Sequence, residues 1–107
     1  MAETYYRVFN GEHLVAFTSL GYLSPEGYEQ LPQSYFWADD TTVTDQTEWI
    51  TKAVQLSMES NKVNIMILWN LDYDGWDDYN VNAGYALIRK DGSCPTCDAL
   101  GQLLFQQ

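Results

Sequence analysis

Two stretches of the sequence carry residue types that could do chemistry. The first holds Tyr22, Glu26, Tyr28, Tyr35, Phe36 and Trp37. The second holds Asp72, Tyr73, Asp74, Trp76, Asp77, Asp78 and Tyr79, directly after Trp69 and Asn70. Aromatic rings beside carboxylates and amides suit a sugar. The C–H face of a pyranose stacks on a ring, and its hydroxyls take polar partners. The same composition also serves loops that only close the end of a barrel. Calcium is the other chemistry these acids suggest, since Asp72, Asp74, Asp77, Asp78 and Asn80 offer hard oxygen donors. The EF-hand spacing fails, because Gly75 comes too early, Trp76 takes the fifth place and Asp77 the sixth. Solvated loop charge is the expectation, and no metal or cofactor is assigned. The spacing gives no separation that would pair two of these carboxylates for acid and base work.

The remaining candidates are weaker. Cys94 and Cys97 form a C-P-T-C pair, without the second pair that a four-cysteine zinc site needs. They read as helix-start cysteines, free in a reducing compartment or bridged in an oxidising one. Ser19 stands at a strand end, but His13 lies on the same strand rather than opposite it, so a Ser-His pair is not expected. No G-x-S-x-G, Walker or dinucleotide glycine pattern is present.

The elements that must position these residues are read from pattern. Residues 4–9 are short and aromatic, the tail of a helix or a brief strand, stopped by Asn10-Gly11. Residues 13–19 form an apolar strand. Residues 20–40 show no period, and Pro25 and Pro32 bar regular structure there. Residues 44–61 read as a helix with Trp49, Ile50, Ala53, Val54 and Ser57 as its inward stripe. Thr42, Thr44 and Asp45 are its candidate caps, Asp45 and Glu48 have capping-box spacing, and Asn61 suits a left-handed end. Residues 63–69 are nearly all apolar, as expected of a parallel strand covered on both faces. Residues 70–82 are a second long loop, 85–89 a candidate short strand, and 95–105 a last helix with Pro95 in its first turn. Strand, helix, strand predicts an α/β chain with parallel strands joined by a crossover, one domain over 1–107. Sites in such folds lie beyond the C-terminal strand ends, and both aromatic loops leave such ends.

Composition narrows the partners. The chain has 107 residues, with 15 Asp or Glu against 5 Lys or Arg and a net charge of -10. A nucleic-acid binder needs a basic face, so that class is excluded, and anionic membrane surfaces are disfavoured. No apolar run approaches the roughly 20 residues of a membrane span. The first residues lack the basic start and apolar stretch of a signal peptide, which leaves localisation open.

One likeness stands out. The run from Phe17 to Tyr28, with Thr18-Ser19-Leu20-Gly21-Tyr22, resembles the end of the seventh strand in TIM-barrel glycoside hydrolases of the cellulase and β-glycosidase clan. Ile67-Leu68-Trp69-Asn70-Leu71-Asp72 resembles the eighth strand, and Gly84 to Ser93 the segment leading to the final helix. Tyr5-Tyr6-Arg7 resembles the preceding helix, and the link from Arg7 to His13 is shorter than the family's. The resemblance covers most of this chain but only about the last third of such a barrel. It implies a partial (β/α) barrel of about two units. The family places a nucleophilic glutamate where this chain has Ser19. Its acid/base carboxylate follows a fourth strand that has no counterpart here. Retaining hydrolysis needs both carboxyl groups, so an inactive glycoside-hydrolase-like section is the expectation. The resemblance implies for Trp69 the family's sugar platform, a core Trp at a barrel mouth being the other reading. Asn70, Tyr22, Trp37, Trp76 and Asp72 join it as candidate sugar contacts. A non-catalytic carbohydrate-binding module and a structural or complementing module are the alternatives. Two parallel strands alone leave both sheet edges open, which predicts self-association or docking onto further barrel segments.

Overall fold

A computed structural model of the chain describes residues 2–105. In chain order it comprises α1 (Ala2–Val8), β1 (Val15–Leu20), a 3-10 turn (Gln33–Ala38), α2 (Val43–Ser60), β2 (Val63–Leu68), a second 3-10 turn (Asn82–Tyr85) and α3 (Pro95–Phe105). β1 and β2 pair in parallel as a two-stranded open sheet, with Val15 opposite Val63, Ala16 opposite Ile65 and Leu20 opposite Leu68. The mixed α/β class with parallel strands is therefore as the sequence predicts.

Local chemistry sets the ends of α2. Thr42 is extended, its Oγ1 accepts the Asp45 N–H at 3.0 Å, and Asp45 Oδ2 accepts the Thr42 N–H at 3.0 Å. The capping box thus lies at Thr42 and Asp45, one turn before the Asp45–Glu48 spacing read from sequence. Asn61 closes the helix in the left-handed conformation at φ 56, which asparagine tolerates better than most residues. Ile50 and Gln46 are fully buried, whereas Trp49, expected on the inward stripe, is 43% exposed. It turns outward against Tyr22, with ring centroids 5.5 Å apart.

Two further expectations change. Residues 85–89 form no strand. They bond instead along the segment after β2, with Leu87 N–H to the Asn70 carbonyl at 3.0 Å and Ile88 N–H to the Leu71 carbonyl at 2.9 Å. Nor is the sheet covered on both faces: Ile65 and Ile67 are 51% and 53% exposed. The first segment is helical, and Cys94 and Cys97 are bridged at the start of α3.

The best-packed core lies beyond the strand ends. Leu23, Leu31, Ala38 and Val81 are buried together, with Tyr35, Trp76 and Tyr85 packed against them. Arg89 ties the loops of this region to one another. Its guanidinium donates to the carbonyls of Ser24 at 3.0 Å, Glu26 at 3.2 Å, Gly84 at 3.1 Å and Ala86 at 3.0 Å. Gln46 of α2 donates to the carbonyls of Tyr22 at 2.9 Å and Gly84 at 3.2 Å. Among the described residues no helix is long and apolar enough to cross a membrane.

Candidate functional site

The two parallel strands deliver their C-terminal ends to one place. Trp69 N–H donates to the Leu20 carbonyl at 2.8 Å, which holds the exits of β2 and β1 side by side. Gly21 sits at the crossing. A Cβ there would collide with the Trp69 carbonyl and press on the Tyr85 ring, so only glycine lets the two exits approach this closely. The Trp69–Asn70 peptide is cis.

A cleft of about 390 Å³ opens at this point, with Ser19, Trp69, Tyr35, Tyr85, Asn80 and Asn82 in its walls. Each wall has a cause. Ser19 and Trp69 stand at the strand ends. Tyr35 comes from the first 3-10 turn and Tyr85 from the second. The Asn80 side chain is fixed twice, its Oδ1 accepting the Asn82 N–H at 3.0 Å and its Nδ2 donating to the Tyr73 hydroxyl at 2.8 Å. Asn70 lies behind the wall, where its Nδ2 donates to the Asn82 carbonyl at 3.2 Å.

The electrostatics of the cleft are simple. No carboxylate, cation or histidine lines it. Burial raises the pKa of the Tyr85 phenol, and the nearby Tyr35 hydroxyl raises it further. Tyr85 is therefore a neutral donor and acceptor throughout the physiological range. Rings, amides and hydroxyls together can stack a flat C–H face and bond neutral hydroxyls. Among the residues that line the cleft, Ser19 has no carboxylate or histidine beside it. No group of three or more metal-ligating side chains is gathered among the described residues.

The six residues read as sugar contacts are dispersed. Trp69 lines the cleft and is 47% exposed. Asn70 supports it from behind. Tyr22 faces the opposite way, onto Trp49 of α2. Trp37 is on the first 3-10 turn, largely exposed, with its ring 6.5 Å from that of Tyr35. Trp76 stacks on Tyr28 with centroids 4.9 Å apart, and it shares a separate cleft with Asp72. The cleft instead recruits Tyr35, Tyr85, Asn80 and Asn82. Their signal in the sequence is slight: the run Asn80-Val81-Asn82-Ala83-Gly84-Tyr85 holds amides and a ring around a glycine that must pack tightly. A Cβ at Gly84 would meet Leu23 and the Ser24 carbonyl. Compared with known proteins, the chain matches no family model, no curated protein and no solved structure.

Proposed function

We propose that the chain is a section of a glycoside-hydrolase-like (β/α) barrel that keeps a subsite for a neutral sugar and lacks the reaction. One observation carries this reading: Ser19 and Trp69, the positions of the family's nucleophile and platform, stand in one aromatic, amide-lined cleft at the C-terminal ends of parallel strands. The ancestral chemistry is hydrolysis of O-glycosidic bonds in a β-linked glycan. A retaining reaction needs one carboxylate to attack the anomeric carbon and a carboxylic acid to protonate the leaving oxygen. Ser19 offers only a neutral hydroxyl, and the cleft holds no acid. Binding without turnover follows. The sugar stacks on Trp69, the Tyr85 hydroxyl and the Asn80 and Asn82 amides meet its hydroxyls, and Ser19 adds one more partner. With a net charge of -10, the chain favours neutral glycans over uronates.

Titration with soluble β-linked gluco-oligosaccharides, read by tryptophan fluorescence, tests it. Saturable quenching is expected in the millimolar range, with no release of phenol from an aryl β-glycoside. Trp69→Ala weakens binding about tenfold, the value of one lost stacking platform. Absence of any response with the unaltered chain, or turnover of the aryl glycoside, overturns the reading.

A further inference from the structure

The start of α3 carries chemistry that the cleft at the strand ends does not use. Cys94 and Cys97 are joined by a disulfide across the first helical turn. The Cys94 carbonyl accepts the Asp98 N–H at 3.2 Å, and its Sγ accepts the Cys97 N–H at 3.2 Å. That sulfur takes the place of a capping oxygen. It also stands where the free amides of a helix start favour negative charge. Cys97 is exposed, whereas Cys94 is half-buried.

Two features separate this bridge from a structural staple. Its sequence separation is 3, and the restraint that a disulfide puts on the unfolded chain grows with the length of the loop it closes. The turn is also anchored without it. Thr96, between the cysteines, is fully buried, and its hydroxyl bonds that of Thr47 in α2 at 3.0 Å. Opening the S–S bond therefore leaves α3 seated on α2. The charges nearby favour neither sulfur. In the cleft beside Ser93 and Pro95, Arg89 and Lys90 stand against Glu26 and Asp91. α2 meets the turn through the neutral Thr47. Asp98 follows Cys97 directly and lies one turn after Cys94, so it acts on both. The helix start then decides, and it holds a thiolate at Cys94 better than at Cys97.

We propose that Cys94 and Cys97 are a reversible dithiol–disulfide couple that exchanges with low-molecular-weight thiols. The thiolate of a small thiol attacks the Sγ of the exposed Cys97. The S–S bond breaks and its electron pair goes to Cys94 Sγ, where the Cys97 N–H receives it. A sulfur that carries charge more easily leaves faster. A second small thiolate attacks the outer sulfur of the mixed disulfide, and the electron pair goes to Cys97 Sγ. The protein disulfide is reduced to two thiols, and two small thiols are oxidised to one disulfide. Of the two protons the small thiols give up, one returns to Cys97 and one stays in solvent while Cys94 remains a thiolate. A small disulfide oxidises the pair by the same steps reversed.

Glutathione buffers of graded reduced-to-oxidised ratio test this, with acid quenching, alkylation of free thiols and mass spectrometry. The bridge is expected to open and re-form within the range of cellular glutathione ratios, with the quenched glutathione adduct on Cys97. Circular dichroism is expected to show the same helix content in both states. Cys94→Ser keeps a capping residue and Cys97→Ser changes an exposed one, so both variants retain α3. At neutral pH the thiolate absorbance of Cys97→Ser is expected to exceed that of Cys94→Ser by about tenfold. A bridge that survives excess reduced glutathione overturns the proposal, as does loss of helix on reduction. So do an adduct found on Cys94 and equal thiolate absorbance in the two variants.

Discussion

Position 19 brings a hydroxyl, not a carboxylate, to the cleft. Introducing a carboxylate by Ser19→Glu supplies an attacking group but no carboxylic acid for the leaving oxygen, since the cleft walls hold none. The variant is therefore expected to release no phenol from an aryl glycoside in a continuous absorbance assay. Measurable turnover would mean that an acid reaches the cleft from elsewhere in the chain. The other titrating positions in the cleft are tyrosines. Burial makes Tyr85 hold its proton more tightly in the folded chain than in the unfolded one. Below the ordinary tyrosine value both states are neutral there, and no pH dependence arises. As pH rises past about 10 the unfolded chain loses that proton first, so stability falls. Urea midpoints at about pH 8 and about pH 10.5 check this, and Tyr85→Phe should show the smaller fall. An equal fall in both would remove Tyr85 as its cause.

At the scale of elements, stability concentrates in residues that join one loop to another. Arg89 is 6% exposed and donates to four loop carbonyls, with no carboxylate in the bonded set. Desolvation lowers its pKa, yet it remains charged at any pH of interest. Arg89→Met strands those carbonyls and is expected to cost about 3 kcal/mol or more, read as a drop in the urea midpoint. Thr42→Ala, which removes one half of a capping box, should cost only about 1 kcal/mol. The contrast shows what was legible in the sequence. Periodicity, caps and apolar runs are local, so β1, α2, β2 and α3 could be read within a residue or two. Trp69 was legible because it follows a strand directly. Tyr85, Asn80 and Asn82 were not, because their place depends on a loop held by Gln46 and Arg89 from other elements. Trp49 misled for a related reason. Helical spacing identifies an apolar stripe but does not say which neighbour covers each residue, and here Ile50 is buried while Trp49 at the stripe's margin meets only Tyr22 and stays 43% exposed.

The whole molecule inverts the usual order of strand and loop. Its loops beyond the strand ends hold the buried cluster of Leu23, Leu31, Ala38 and Val81, while the sheet has two strands and a bare face. Amide protection follows burial and bonding rather than the name of the element. In dilute solution the amides of Ser24 and Leu87, each bonded to a carbonyl across the loops, are therefore expected to exchange slowly. The outward-facing amides of β1 and β2 should exchange fast, since among the described residues no strand lies beside either edge. Raising the protein concentration should change only the second group. If edges pair between copies, their protection grows with concentration while that of the loop amides stays level. Hydrogen exchange read by mass spectrometry at two concentrations separates the cases. Edges already protected in the dilute monomer would mean that the chain covers its own sheet margins, and slow exchange there could not then be taken as a sign of assembly.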